Sequence, residues 1–331
     1  MMPIKLINHK VLLAGGLRIL GSALALLLVF QFVSIQQVWE VGQRLPTYAW
    51  LAAFVLFLFG HALAAVKWAL MIDARQPFGR VFRAHLAGLG ANLALPGVAG
   101  GDVVRAGLLY RAVPNKGRLA AGSLIDRLID TLALLVIMLA GGWALVWDAA
   151  TIGGLLWRII ALALPVAALF FLSARLAWFW PQALGEGASK PVLLAAKLAN
   201  ACVSLAHQPG RLIACFALSL LIQGMFVAIV AQLATHVGIA IPEAGWAYGW
   251  AGGKIVAILP ISLGGLGVRE ATMAAMLQPY GAEPQHTVAV GLLWQTILYA
   301  GGILGLLVQT FTKRSERRAP TAEATPRENA G

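Results

Sequence analysis

The sequence predicts an all-α polytopic membrane protein with six full transmembrane helices and two re-entrant helical hairpins, arranged as an inverted repeat. Hydrophobic residues make up 60% of the chain and charged residues only 11%, whereas soluble domains carry about 25% charged residues. Several apolar runs reach the roughly 20 residues that cross a bilayer. A polar motif also occurs twice, as LPGVAGGDVVRAG at 95–107 and LPISLGGLGVREA at 259–271.

Six apolar runs are long enough for full crossings: about 15–33, 48–72, 124–147, 153–173, 211–237 and 287–311. Lysine and arginine concentrate in every second loop and flank both ends of this series. Because basic loops stay in the cytoplasm, we expect a multi-pass protein of the bacterial inner membrane with both termini cytoplasmic. This topology explains the net charge of +12, and we expect no nucleic-acid partner.

Two further apolar stretches, 84–96 and 246–259, are too short to cross as helices. Each ends at the proline of a repeated motif and leads through two glycines into a second short helix, at 103–112 or 267–278. This pattern predicts two re-entrant hairpins, which are tolerated where protein or a watery cavity surrounds them. The alternative is an ordinary tight turn between helices.

Three predicted crossings separate the two motifs, so the halves, about 48–147 and 211–311, are expected to have opposite orientations. Inverted repeats with broken helices are typical of transporters. We predict one integral membrane domain over 1–312 and a disordered, basic cytoplasmic tail over 313–331. The weakly amphipathic segment 188–207 is placed on the cytoplasmic surface.

An arginine and an acid recur in both motifs. Arg105 follows Asp102 by three residues, and Arg269 directly precedes Glu270. Arginine is costly at membrane depth and can bind phosphate with two parallel hydrogen bonds. We therefore predict that both arginines line a cavity for an anionic headgroup; the alternative is an internal salt bridge that fixes each hairpin.

The paired glycines of the motifs allow a tight turn and a close backbone approach to a ligand. They are Gly100 and Gly101 in the first motif and Gly264 and Gly265 in the second. The backbone N–H groups that follow them could also bind an anion.

A second polar cluster, DRLID, opens the third predicted span. Asp126 and Asp130 are four residues apart and share a helix face, with Arg127 beside them. The two acids could carry a proton or contact a cationic headgroup, or they could form an interhelical pair. Asn92 and Lys254 leave the same choice between ligand binding and a structural role, with snorkelling a further alternative for Lys254.

Other polar residues within the predicted spans are assigned structural roles. Lys67 is expected to snorkel to the cytoplasmic surface. His61, Gln223 and Gln295 are expected to form hydrogen bonds between helices.

The segments LPGVAGGDVVR, DRLID and LPISLGGLGVREA resemble the membrane half of bacterial lysylphosphatidylglycerol synthases and the stand-alone flippase-like proteins related to it. The resemblance covers roughly 10–312. Better-understood members pair this region with a soluble aminoacyltransferase domain and move aminoacylated lipid across the inner membrane. The resemblance is to the membrane half alone, so we expect no synthase activity.

The predicted function is translocation of a phospholipid, glycolipid or polyprenyl-phosphate-linked amphiphile, without enzymatic activity, cofactor or metal. An intramembrane lipid-modifying transferase and a transporter of a small soluble anion are the alternatives. The expected partners are membrane lipids with an anionic or phosphate-bearing headgroup. A homo-oligomer and association with envelope-lipid biosynthesis enzymes stay open.

Overall fold

The computed structural model describes residues 20–74, 76–94, 99–146, 200–258, 262 and 265–318, apart from 21, 22, 25, 32, 201, 202 and 206. The elements of these ranges are helical. They are α1 Ile35–Gln43, α2 Thr47–Ile72, α3 Phe78–Ala94, α4 Ala99–Leu109, α5 Lys116–Val146, α6 Pro209–His236, α7 Glu243–Val256, α8 Val268–Leu277 and α9 Pro284–Arg318, with a 3-10 turn at Gln278–Tyr280.

Within these residues, four helices are long and apolar enough to cross a membrane. The candidate spans are Thr47–Ile72, Lys116–Leu145, Pro209–His236 and Pro284–Phe311. They match the predicted spans 48–72, 124–147, 211–237 and 287–311, and the chain is a multi-pass membrane protein. The predicted span 153–173, about half of 15–33 and most of the surface segment 188–207 lie outside the described residues.

Several helix ends differ from the predicted boundaries. The helix α5 begins at Lys116, where Asn115 caps it by accepting a hydrogen bond from Arg118 N at 2.9 Å. The DRLID cluster therefore lies about 15 Å inside this helix and does not open it. The predicted loop at 34–47 contains α1, and α9 continues past 313 to Arg318, because Lys, Arg and Glu are good helix formers.

The two short-helix pairs, α3 with α4 and α7 with α8, each form a packed hairpin. In the first, a Cβ on Gly88 would lie 2.8 Å from the carbonyl oxygen of Gly101, so the arms meet through backbone. Asn92 Oδ1 accepts from Gly101 N at 2.8 Å and ties the arms together. In the second, Gly265 has φ +81°, a left-handed conformation that favours glycine.

The first arm of each hairpin packs against a long helix of the other half of the chain: α3 packs against α9, and α7 packs against α5. Two glycines permit the close contact between these helices. A Cβ on Gly141 of α5 would lie 2.7 Å from the carbonyl oxygen of Ala244, and one on Gly305 of α9 would clash with the backbone of Leu86. Each of these glycines therefore admits an arm of the other half's hairpin.

An aromatic core joins the long helices. Phe57 of α2 lies 6.0 Å from Phe226 of α6 and 5.6 Å from Trp294 of α9, measured between ring centroids. Trp250 of α7 stacks edge-on against Trp294 at 4.7 Å. This apolar layer borders the polar groups described next.

Candidate functional site

Asp102 on α4 lies between two arginine side chains. Arg127 on α5 donates to both of its carboxylate oxygens, from Nε at 2.6 Å and from Nη2 at 2.7 Å. Arg105 Nε lies 2.9 Å from Oδ1 as an ion pair that lacks hydrogen-bond geometry. The Arg127 side chain is 41% exposed and that of Arg105 only 3%. Arg105 is therefore enclosed, and Arg127 lies at the accessible edge of this group of side chains.

Asp126 on α5 joins Arg105 to Lys67 of α2. Its Oδ2 accepts from Arg105 Nη2 at 3.0 Å, and its Oδ1 lies 3.2 Å from Lys67 Nζ. Lys67 also pairs with Asp130 and donates to Ser219 Oγ at 2.8 Å, and Ser219 donates to Asp130 Oδ1 at 2.8 Å. The side chains of Lys67 and Asp126 are 1% and 3% exposed, so this ion pair is shielded from solvent.

These six charged residues form what we call the first network, in which three cations balance three carboxylates. Its members are Lys67, Asp102, Arg105, Asp126, Arg127 and Asp130. Pairing of this kind offsets the cost of burying each charge. The network joins α2, α4 and α5, and through a serine it reaches α6.

Two histidines extend the first network. His85 Nδ1 lies 3.3 Å from Arg105 Nη1, and His85 Nε2 lies 3.0 Å from His61 Nδ1. The Arg105 guanidinium also lies over the ring of Trp68, 4.5 Å from its centroid. Arg105 is therefore enclosed by two acids, an imidazole and an indole.

Arg269 on α8 is held equally closely. It pairs with Glu270 and donates from Nη2 to Gly291 O at 3.1 Å and to Gln295 Oε1 at 3.0 Å on α9. Glu270 Oε2 accepts from Gly267 N at 2.6 Å, which closes the first turn of α8. Both side chains are buried, so this second network fixes the outgoing arm of its hairpin.

Lys254 on α7 differs from the other buried cations. Its Nζ donates to Gln223 Oε1 at 2.8 Å and lies 5.1 Å from the ring centroid of Phe226 and 5.8 Å from that of Trp250. No carboxylate of the described residues forms an ion pair with it. The indole Nε1 of Trp250 is buried and likewise has no hydrogen-bond acceptor in this part of the structure.

One face of α6 connects the two regions. Ser219 binds the first network, and Gln223, four residues later on the same face, binds Lys254. Lys254 is also within electrostatic range of Asp130 and Arg269. The polar groups of both halves therefore share one region between the long helices, which we call the polar core.

Most of the sequence-predicted site residues meet in this polar core. The structure brings together Asp102, Arg105, Asp126, Arg127 and Asp130 in the first network and Arg269, Glu270 and Lys254 beside it. Gly101 and Asn92 hold the first hairpin. Gly100, which is half-buried, and Gly101 lie in the first turn of α4 and not, as predicted, in the turn before it, because α4 already begins at Ala99. Gly265 forms the turn before α8, while Gly264 lies outside the described residues.

The two repeated arginines have the geometry of the salt-bridge alternative. Arg105 and Arg269 are buried and bound by protein groups, because each carboxylate of the motif folds back onto the arginine beside it. The expectation that both guanidinium groups line an open cavity is not what the structure shows. Within the described polar core, Arg127 is the partly exposed cation and Lys254 is the cation without a carboxylate partner.

Lys67 was assigned the wrong role from sequence. It does not snorkel but is fully buried between Asp126 and Asp130, because a cation inside the bundle stabilises these two acids of α5. The pair of acids was the signal in the sequence for a buried cation. The expected interhelical hydrogen bonds of His61, Gln223 and Gln295 are confirmed.

Comparison with known proteins agrees with this architecture. No curated protein matches the chain. The family described as the lysylphosphatidylglycerol synthase TM region matches residues 13–305, which confirms the resemblance read from the motifs. The chain belongs to the lysylphosphatidylglycerol synthase transmembrane-region family.

Proposed function

We propose that this protein translocates a phospholipid, glycolipid or polyprenyl-phosphate-linked amphiphile across the bacterial inner membrane. The headgroup passes through the polar core while the tails stay in the bilayer. The observation that carries this proposal is a charge imbalance, since five cations of the described polar core face four carboxylates. They are Lys67, Arg105, Arg127, Lys254 and Arg269 against Asp102, Asp126, Asp130 and Glu270.

A single uncompensated positive charge favours an anionic ligand. Burying an unpaired charge is costly, and Lys254 has only an amide oxygen and two aromatic faces to offset that cost. Lysine binds phosphate as a point charge. The unpaired Nε1 of Trp250, one turn before Lys254 on α7, adds a second donor, and phosphate oxygens accept from several directions.

The remaining cations then have different tasks. Arg105 and Arg269 hold the outgoing hairpin arms in place through their acids. Arg127 is 41% exposed at the edge of the first network, where its guanidinium is accessible to an approaching headgroup. In this scheme the phosphate moves between Arg127 and Lys254 and not between the two repeated arginines.

The inverted repeat belongs to the same proposal, with six crossings, two re-entrant hairpins and both termini in the cytoplasm. The exchanged packing of α3 on α9 and α7 on α5 supports it. Gly141 and Gly305, which allow these contacts, are 164 positions apart, as are Arg105 and Arg269. Rocking of one half against the other would alternate access to the polar core.

The purified protein, reconstituted in vesicles with a panel of fluorescently labelled lipids, tests the proposal. Added dithionite should quench more than the outer-leaflet fraction of an anionic phospholipid. Lys254→Met should slow this by about 10- to 100-fold, since a hydrogen bond to a charged group contributes about 1.5–3 kcal/mol and 1.4 kcal/mol is about tenfold. Lys116→Met, outside the polar core, is the matched control.

The alternatives give different results in the same vesicles. A lipid-modifying transferase would change the mass of the labelled lipid, and we propose that no such change occurs. A transporter of small anions would take up radiolabelled phosphate while leaving the lipid in its leaflet. Equal lipid transfer by Lys254→Met and the Lys116→Met control would refute the role of Lys254.

A further inference from the structure

His61 and His85 form a buried pair whose proton positions are set by Arg105. A guanidinium group only donates hydrogen bonds, so His85 Nδ1, 3.3 Å from Arg105 Nη1, is an acceptor. The proton of His85 is then on Nε2, which donates to His61 Nδ1 at 3.0 Å. His61 therefore carries its own proton on Nε2. Both rings are neutral and have the same tautomer.

A proton added to this pair excludes the contact with Arg105. A cationic imidazole donates from both nitrogens, so a protonated His85 cannot accept from the guanidinium. A proton on His61 has the same effect, because His61 Nδ1 would then donate to His85 Nε2 and move the His85 proton to Nδ1. In both cases a donor on His85 faces a donor on Arg105, and this hydrogen bond between α3 and α4 is lost.

The surrounding charges make this site responsive to an anion. The groups that act on the pair include Arg105 from α4, Arg127 and Asp130 from α5, Lys67 from α2 and Lys254 from α7. Asp102 and Asp126 form ion pairs with the same Arg105 guanidinium that contacts His85. From α6, the uncharged ring of Phe226 lies 5.5 Å from His61 between ring centroids. Burial of both rings and, beyond it, the cationic surplus oppose a positive charge on them.

An anion bound at Lys254 would reduce that surplus. By linkage, an anionic headgroup then favours proton binding to the histidines, and the proton favours the headgroup to the same degree. The proton would also release Arg105 from His85 and loosen the α4 arm. Cargo, proton and hairpin position are thereby coupled through the anion at Lys254, the hydrogen bond between His61 and His85, and the hydrogen bond between His85 and Arg105.

We propose that the His61–His85 pair is a proton-binding site that couples proton movement to the position of the first hairpin. Its ligand is a proton, taken up together with an anionic headgroup. The coupling to cargo rests on the proposed function. The proton site itself rests only on the geometry of His61, His85 and Arg105.

Nitrogen NMR of 15N-histidine-labelled protein in phosphatidylcholine nanodiscs tests the site without transport. At neutral pH we expect two neutral rings with Nε2–H and unprotonated Nδ1, assigned by their loss in His61→Gln and His85→Gln. In phosphatidylcholine alone the rings should stay neutral down to about pH 5, because burial and the neighbouring cations disfavour a charge on them. Phosphatidylglycerol in the nanodisc should move their protonation to higher pH, into the range between about pH 5 and 8. Protonated Nδ1 at neutral pH in phosphatidylcholine, or rings that stay neutral in both lipids, would overturn the proposal.

Lipid transfer in vesicles with an imposed pH gradient tests the coupling. We expect the gradient to change the wild-type rate by about tenfold, and His85→Gln and His61→Gln to be insensitive to it. His207→Gln, at an exposed position, should respond like the wild type. A wild-type rate that ignores the gradient, or variants that keep its full effect, would overturn the coupling. Absence of transfer under every condition, with the NMR result intact, would reject the lipid cargo and keep the proton site.

Discussion

Replacing Arg105 with glutamine removes the cation that holds Asp126 against α4. Asp126 is 3% exposed and would keep only Lys67, at 3.2 Å, which it already shares with Asp130. Removing one partner of a buried ion pair costs about 3–5 kcal/mol, because the other charge is left uncompensated. We therefore expect the free energy of unfolding of Arg105→Gln to fall by about 3–5 kcal/mol.

The double variant Arg105→Gln with Asp126→Asn separates this cost from other effects. Two amides can hydrogen-bond to each other, and no charge is stranded. Residues in one ion-pair network show interaction energies of about 0.5–3 kcal/mol, so we expect the double variant to recover about 1–3 kcal/mol. Arg80→Gln, at an exposed position on α3, should change the stability by less than about 0.5 kcal/mol.

Unfolding in mixed micelles of dodecyl maltoside and sodium dodecyl sulfate, followed by tryptophan fluorescence, measures these differences. Lipid transfer in vesicles is measured on the same preparations. If Arg105→Gln keeps its stability within about 1 kcal/mol but abolishes transfer, the arginine binds the cargo and the salt-bridge reasoning is wrong. If the double variant regains both lipid transfer and stability, the result supports a structural salt bridge between Arg105 and Asp126.

Two further predictions concern the packing of the halves and their topology. Gly305→Ala should lower the free energy of unfolding by about 1–3 kcal/mol, since its Cβ would clash with the backbone of α3. Gly107→Ala is the control and should not destabilise α4, because there is open space around Gly107. Equal effects of the two variants in denaturation would contradict the close approach of α3 and α9. Single cysteines at Pro114 and Glu283, both exposed, in a background without the native cysteines, should react with an impermeant maleimide from opposite sides of the membrane. Labelling from one side would reject the inverted repeat.

The sequence alone determined the features that depend on local composition. The length of an apolar run decides whether a helix can cross a bilayer, and four predicted spans were recovered, three of them within a few residues at both ends. The motifs at 95–107 and 259–271 identified the family and both short-helix hairpins. The sequence also placed Arg105 and Arg269 in equivalent positions.

Only the tertiary structure decided how the polar residues pair. Lys67 meets Asp126 and Asp130 because α2 and α5 pack together, and nothing near Lys67 in the chain indicates this contact. Helix packing also buries Arg105 between Asp102 and Asp126 and leaves Lys254 without a carboxylate in the described structure, although both are cations in apolar surroundings in the sequence. Burial and charge balance depend on side chains from distant helices, so local sequence cannot specify which cation stays free to bind a headgroup.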